Sequence, residues 1–178
     1  QGVQKTDIAV YESMGNAQGG GPFYDGSALT AEGYSYQLFT PELLTLDSAT
    51  VTNGVLNENG PAYKAMVIDN ETAMSKETMQ KLISFADAGL ALVFANNLPC
   101  ISTSLTEDNA EIAAMMQTLL EKDNVAAVES TSDVGRALLE LGVDPAAQKT
   151  EPDTAILPVH RSMDGGDLYY FYNTSEEE

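Results

Sequence analysis

Short apolar segments alternate with amphipathic segments along the middle of the chain, and this alternation constrains the fold most. The central apolar segments are continuous, as in strands that are buried on both faces of a sheet. The amphipathic segments have helical periodicity, and two of them end at a glycine. Such a chain fits a parallel sheet flanked by helices. Strands are predicted at 6–12, 62–70, 90–97 and 124–130, and helices at 75–89, 106–122 and 131–142.

Right-handed crossovers between these strands predict an α/β domain with a doubly wound, mostly parallel sheet. This arrangement is flavodoxin-like, and it is also that of class I glutamine amidotransferases. Between the first two strands, 33–46 carries a helix signal with Thr40 as cap and Pro41 at the first helical position. The β-branched segment 49–57 predicts a short strand, or a hairpin around Asn53-Gly54.

The segment 156–173 predicts an antiparallel hairpin at one edge of the sheet, and it contains the chain's lone histidine, His160. Two registers stay open. A loop centred on Gly165-Gly166 places His160 opposite Phe171. A two-residue loop at Asp164-Gly165 places it opposite Tyr169. Either register puts an aromatic side chain across from His160.

The length of 178 residues predicts one α/β domain, with a core over 6–173. The start at Gln1 and the end in NTSEEE, just after a strand-like segment, suggest a processed chain or a piece cut from a larger multidomain protein. Residues 174–178 are then expected to begin a linker to a following domain. The compartment is left open, with export from a bacterium favoured over the cytoplasm.

The net charge of −19 makes nucleic acid and anionic membranes poor partners, because an acidic surface repels phosphate groups. One cysteine cannot form an internal disulfide bond. The absence of tryptophan removes the flat platform that often holds a sugar. No cofactor or metal motif is found, and no cofactor is expected.

Cys100 and His160 are the one candidate pair for nucleophilic catalysis. In class I glutamine amidotransferases the nucleophile lies in a Gly-x-Cys-x-Gly elbow, and a His-x-Glu motif follows. Here Pro99 precedes the cysteine without flanking glycines, and Ser162 stands where the glutamate is required. No acid is expected to orient the histidine. We therefore predict a loop thiol and a strand histidine, and no catalytic residue.

The glycine-rich segment 13–26 follows the first predicted strand, where dinucleotide-binding folds keep their phosphate loop. Its glycines do not have the G-x-G-x-x-G spacing, and no Lys-Ser or Lys-Thr follows them. The prediction is a surface loop without a phosphate site. These glycines are Gly15, Gly19, Gly20 and Gly21.

Polar and acidic residues follow the predicted strands, and ligands in open α/β sheets bind beyond such strand ends. Turn and capping preferences explain the same residue types, so both interpretations stay open. A crevice that could hold a carbohydrate or a cation is predicted from Asp69, Asn70, Asn96 and Asn97. Glu71, Glu129 and Ser130 belong to the same row of strand ends.

Three strings resemble an internal domain of large bacterial α-L-rhamnosidase-type enzymes of glycoside hydrolase family 106. They are GYSYQLFTPELL, the segment 54–94 with its SKETMQKL helix, and VHRSMDGGDLYYFYN. The resemblance covers most of 33–173. One departure is the string Tyr-Ser-Tyr-Gln at 34–37, where many members read Tyr-Asp-Tyr-Asp.

The resemblance implies an amidotransferase-like module without its own catalytic triad, similar to the trimerisation domain of some β-galactosidases. It implies that the catalytic acids lie on a separate barrel and that a β-sandwich follows. The leading hypothesis is thus a non-catalytic domain that braces the barrel or an oligomer interface. The alternatives are a carbohydrate- or cation-binding module and a free-standing Cys/His hydrolase or amidotransferase. Expected partners are the other domains of the same polypeptide or a second copy.

Overall fold

A parallel sheet forms the centre of the computed structural model, which describes residues 2–13 and 24–175. Its strands are β2 (Ile8–Tyr11), β3 (Tyr36–Phe39), β6 (Ala65–Asp69), β7 (Ala91–Ala95) and β8 (Val125–Val128), numbered in chain order with the strands described below. They follow in the order β3-β2-β6-β7-β8, and each neighbouring pair is parallel. The parallel sheet predicted from the apolar segments is therefore confirmed.

Four α-helices connect the strands in the described part of the chain. Ser75 caps the second helix as predicted, since its hydroxyl accepts from the backbone N–H of Thr78 at 3.1 Å. Asp108 caps the third, and Thr106, the predicted cap, lies two residues earlier. The helices are α1 (Ser27–Glu32), α2 (Lys76–Asp87), α3 (Asn109–Leu120) and α4 (Val134–Glu140).

Helices cover the parallel sheet on both faces, which explains why its central strands are largely apolar. Because successive side chains alternate between faces, Met66 and Ile68 pack with α2 and α3, while Val67 packs with α1 and α4. The strand interiors of β2, β6 and β7 are almost fully buried. Each face thus has its own hydrophobic cluster.

The C-terminal hairpin forms a second, antiparallel sheet, and the prediction of a hairpin at the edge of the parallel sheet is wrong. Strand β9 (Ile156–Met163) pairs with β10 (Gly166–Asn173) on one side. On its other side it pairs with β1 (Val3–Lys5) from the start of the chain. Because β1 occupies the second edge of β9, the hairpin is part of a three-stranded sheet in the order β1-β9-β10, separate from the parallel sheet.

The register of the hairpin follows the two-residue loop at Asp164-Gly165. Met163 stands opposite Gly166, and His160 stands opposite Tyr169. Gly165 has a φ of +94°, which favours glycine in such a turn. Of the two registers left open, the one with Tyr169 is the observed one.

Several element boundaries differ from the prediction. The segment 33–46 holds strand β3 followed by a 3₁₀ helix at Pro41–Thr45, because β-forming residues before Thr40 pair with β2. The helix predicted at 131–142 begins with a 3₁₀ turn before α4. Helix α1 had no predicted counterpart. The short hairpin of β4 (Val51–Thr52) and β5 (Val55–Leu56) turns at Asn53-Gly54, as predicted.

A buried aspartate connects the amino-terminal edge of the parallel sheet to its surroundings. Asp7 forms an ion pair with Lys64 at 2.8 Å. Its other oxygen accepts from the N–H and the hydroxyl of Ser35, at 3.0 and 2.9 Å. Asp7 also accepts from the N–H of Ala146 at 3.2 Å. These bonds compensate for burying the carboxylate.

Candidate functional site

The four predicted crevice residues lie together at the carboxyl end of the parallel sheet. The amide of Asn96 donates to Oδ1 of Asp69 at 2.5 Å, and the amide of Asn97 donates to Oδ1 of Asn70 at 2.5 Å. Thr131 joins them, since its hydroxyl donates to Oδ2 of Asp69 at 3.0 Å. We call these five residues the strand-end network.

The backbone conformation of the strand-end network accounts for its asparagine residues at positions 70 and 96. Asn70 and Asn96 have φ angles of +55° and +63°, a left-handed conformation that asparagine tolerates better than most residues. The N–H of Asn70 donates to the carbonyl of Ala95, which ties the end of β6 to the end of β7. The side-chain amides of Asn96 and Asn97 donate to the neighbouring side chains of Asp69 and Asn70. Within 2–13 and 24–175, no group of three potential metal ligands is found.

Glu71 directly follows Asn70 at the end of β6 and connects this strand end to the end of β2. The N–H and the hydroxyl of Ser13 donate to its two carboxylate oxygens, each at 3.0 Å. The residue is only 3% exposed, and burial raises its pKa above the ordinary value. The other predicted strand-end residues differ, since Glu129 is exposed and Ser130 caps the 3₁₀ turn before α4.

Cys100 and His160 belong to different parts of the fold. Cys100 is exposed in the loop after β7, where its N–H donates to the carbonyl of Thr72. His160 lies on β9 in the antiparallel sheet, and its ring stacks on Tyr169 at a centroid distance of 4.3 Å. The structure gives no support for a catalytic Cys/His pair.

An acidic side chain does contact the histidine, contrary to the prediction. Nε2 of His160 lies 3.0 Å from Oδ1 of Asp167, and this bond lowers the pKa of the Asp167 carboxyl. The contact depends on the register, because Asp167 is a diagonal cross-strand neighbour of His160. The pair lies on the exposed hairpin beside Tyr169.

Strand β10 exposes apolar side chains on both faces. Side chains alternate along a strand, so Tyr169 and Phe171 point to one face and Leu168, Tyr170 and Tyr172 point to the other. These five residues are between 43% and 59% exposed. We call them the hairpin surface. Antiparallel sheets commonly pack one face against a core and expose the other to solvent. Here every residue of β10 is exposed, so neither face of this strand is buried.

The glycine residues at 15–21 lie outside the described residues, so the predicted loop without a phosphate site stays a prediction.

In the described part of the chain, no helix has the length and apolar character needed to cross a membrane.

The family model of glycoside hydrolase family 106, described as alpha-L-rhamnosidase, matches residues 1–178. The chain belongs to this family. None of the curated proteins matches the family 106 chain. The family resemblance stated from the sequence is confirmed.

A solved rhamnosidase from Novosphingobium sp. PP1Y resembles the family 106 chain in structure. The TM-score is 0.67 at 20% sequence identity, and the match covers 97% of this chain. It covers 17% of the rhamnosidase chain, so the protein described here spans less than a fifth of that enzyme. At this identity the likeness shows a shared fold.

Proposed function

We propose that the chain is a non-catalytic structural domain of a bacterial α-L-rhamnosidase-type enzyme. The hairpin surface carries this proposal, because exposed apolar side chains on both faces of a strand mark an interaction site. The small share of the solved rhamnosidase that the match covers is in keeping with a larger parent polypeptide. The occupant of the hairpin surface is then another domain of the same polypeptide.

The free edge of β10 supports the same proposal. In the described residues β10 pairs with β9 alone, so its other edge has unpaired backbone donors and acceptors. Proteins usually protect such edges with charges, prolines or bulges. The sequence GDLYYFYN has one charged residue, Asp167, at its second position. A neighbouring domain that packs on this strand would bury both the edge and its aromatic side chains.

We also propose a more specific fold, flavodoxin-like and similar to that of class I glutamine amidotransferases. Counted along the chain, the parallel strands lie in the order 2-1-3-4-5 with helices on both faces, which is the flavodoxin-like order. This order supports an amidotransferase-like module within one domain. The missing elbow around Cys100 supports a module that has no catalysis of its own.

Association with the rest of the parent enzyme tests the proposal. The chain and the remainder of the polypeptide would be produced separately, and their affinity measured by analytical ultracentrifugation. Replacing Tyr170 and Phe171 with serine alters both faces of β10 and is expected to weaken binding at least about tenfold. Leu105→Ser is the control, because Leu105 is fully exposed and apolar but far along the chain from the hairpin.

Unchanged affinity of the double variant would contradict the proposal. Self-association of the chain that the double variant abolishes would identify an oligomer interface, the other bracing role expected from the family resemblance. Hydrolysis of α-L-rhamnosides by the purified 178-residue chain would contradict the non-catalytic role. Ligand binding at Asp69, Asn70, Asn96 and Asn97 stays a prediction. The amide groups of Asn96 and Asn97 already donate within the strand-end network.

A further inference from the structure

The hydrogen-bond pattern of the hairpin determines which residues of β10 face its free edge. In an antiparallel pair, successive residues alternate between bonding the neighbouring strand and pointing away from it. The N–H of Thr174 donates to the carbonyl of Ala155 at 2.8 Å, in continuation of the β9–β10 register. Counting back from Thr174, the even-numbered residues of β10 bond β9 and the odd-numbered residues point to the free edge. The odd-numbered residues are Asp167, Tyr169, Phe171 and Asn173.

A proline in β9 supports this assignment independently. Pro158 stands opposite Phe171 and has no N–H to donate. A proline in a strand fits at a position whose N–H would point away from the neighbouring strand. The alternation gives position 158 this orientation relative to β10. Strand β1 pairs with residues 160–162 of β9, so no bond to β1 requires an N–H at 158 either.

The outward-facing backbone groups of β10 form a regular row. Each of the four odd-numbered residues presents one N–H and one C=O, and none of these groups bonds another backbone group in the described part of the chain. The row extends over eight residues, a span of about 26 Å. A helix bonds its own backbone groups internally, whereas an extended strand matches this spacing along its whole length. The row therefore favours a strand as the partner.

The side chains beside this row restrict the composition of the partner strand. Asp167 is the one charged residue of β10, and it lies next to the hairpin turn, where it contacts His160. From Leu168 to Tyr172 every side chain is aliphatic or aromatic, on both faces of the strand. A charged side chain packed against this stretch would lose water without gaining an ion pair. The matching strand is therefore apolar or aromatic on both faces over about five residues.

We propose that an extended segment of the parent polypeptide, outside the 178 residues, adds to β10 as a fourth strand of the antiparallel sheet. This inference rests on the proposed docking role of the hairpin surface and specifies its mode as β-strand addition. The match to the solved rhamnosidase leaves more than four-fifths of that chain outside it. A parent of similar size has the residues to supply the strand.

Matched proline and alanine variants separate strand addition from docking through side chains alone. Phe171→Pro and Phe171→Ala both remove the ring, but proline also removes the outward N–H. The affinity for the remainder of the parent polypeptide is measured by analytical ultracentrifugation. Phe171→Pro is expected to bind at least about tenfold more weakly than Phe171→Ala. Tyr169→Pro and Tyr169→Ala are expected to show the same ratio.

Two further measurements keep the comparison valid if proline disturbs the hairpin. The N–H groups of Tyr170 and Tyr172 point to β9, so their hydrogen exchange should stay as slow in the proline variants as in the alanine variants. Semisynthesis can also replace the N–H of Phe171 by an ester oxygen, which retains the ring. This ester variant is expected to weaken binding at least about fivefold.

The outcomes distinguish strand addition from the proposed function. Equal affinities of each proline variant and its alanine counterpart, or full affinity of the ester variant, would overturn strand addition. If the double serine variant of Tyr170 and Phe171 still bound weakly, the docking role would stand. Full affinity of that double variant would contradict both. Self-association of the isolated chain that Phe171→Pro abolishes and Phe171→Ala retains would overturn the proposed occupant, because a second copy would then supply the strand.

Discussion

The two sheets of this molecule differ most in how their strands are buried. Phe94 of β7 in the parallel sheet is 0% exposed, and Phe171 of β10 in the antiparallel sheet is 55% exposed. The parallel sheet has helices on both faces, so the apolar side chains of β2, β6 and β7 are buried within the described chain. The antiparallel sheet presents the same kind of side chain to solvent.

This difference separates stability from interaction. A side chain that is buried in the chain contributes to folding, whereas an exposed apolar side chain contributes only when a partner covers it. Mutations in the two sheets should therefore have opposite signatures, with loss of stability in one and loss of association in the other. The predictions below test this contrast.

The largest effect is expected in the parallel sheet. Phe94→Ala leaves a cavity between β7 and the helices, and it should lower the free energy of unfolding by about 3–5 kcal/mol. Urea denaturation followed by circular dichroism measures the change. A loss below about 1 kcal/mol would show that this sheet is not the main source of stability.

A smaller loss is expected at the amino-terminal edge of the same sheet. Asp7→Ala leaves Ser35 and the N–H of Ala146 without their acceptor, and it should lower the free energy of unfolding by about 2 kcal/mol. Lys64 is partly exposed and can be solvated, which limits the cost. Asp7→Asn retains an acceptor and should cost less. Equal losses for both substitutions would contradict this explanation.

The pH dependence of stability should report the burial of Glu71. Its pKa in the folded chain is raised above 4.5, mainly by burial, so the folded state binds more protons than the unfolded state in the window above pH 4.5. The free energy of unfolding contributed by this group therefore falls as pH rises through that window. Glu71→Gln removes this slope, and the variant should gain stability relative to the unchanged chain with rising pH.

Glu107→Gln provides the control of opposite sign. A hydrogen bond from Ser102 lowers the pKa of Glu107, so its contribution is present above its ordinary pKa and is lost as pH falls. The Glu107→Gln variant should lose relative stability with rising pH. Denaturation series across the acidic range measure both differences. Slopes of the same sign would contradict the two assignments.

The smallest effect on stability is expected on the hairpin surface. Phe171→Ala removes a half-exposed ring, so the free energy of unfolding of the isolated chain should change by no more than about 0.5 kcal/mol. The same denaturation experiment as for Phe94→Ala gives a direct comparison of two identical substitutions. A loss of several kcal/mol would show that the hairpin is part of the core.

The sequence was sufficient to predict the parallel sheet because burial on both faces leaves continuous apolar segments. It was also sufficient to predict that Asp69 and Asn96 meet, since parallel strands end at the same edge. The partner of the hairpin could not be predicted. Strand β1 has three residues and pairs with β9 across most of the chain, as in the pair Val3 and Ser162, and so short a strand has no periodic signal.

Two contacts depend on geometry that the sequence left undecided. Asp167 reaches His160 in the register of the Asp164-Gly165 loop, and the choice between two registers was open. Ser13 reaches Glu71 only because β2 and β6 are neighbours in the sheet. Strand order is set by tertiary packing, so neither residue alone indicates the contact.

Solvent accessibility of the hairpin surface in the proposed parent polypeptide tests the central claim most directly. Hydroxyl-radical footprinting would compare the modification rates of Leu168–Tyr172 in the isolated chain and in that longer polypeptide, with Leu105 as the exposed reference. The proposed docking role predicts a marked decrease for Leu168–Tyr172 in the longer polypeptide and an unchanged rate at Leu105. Equal rates for the hairpin surface in both proteins would contradict it.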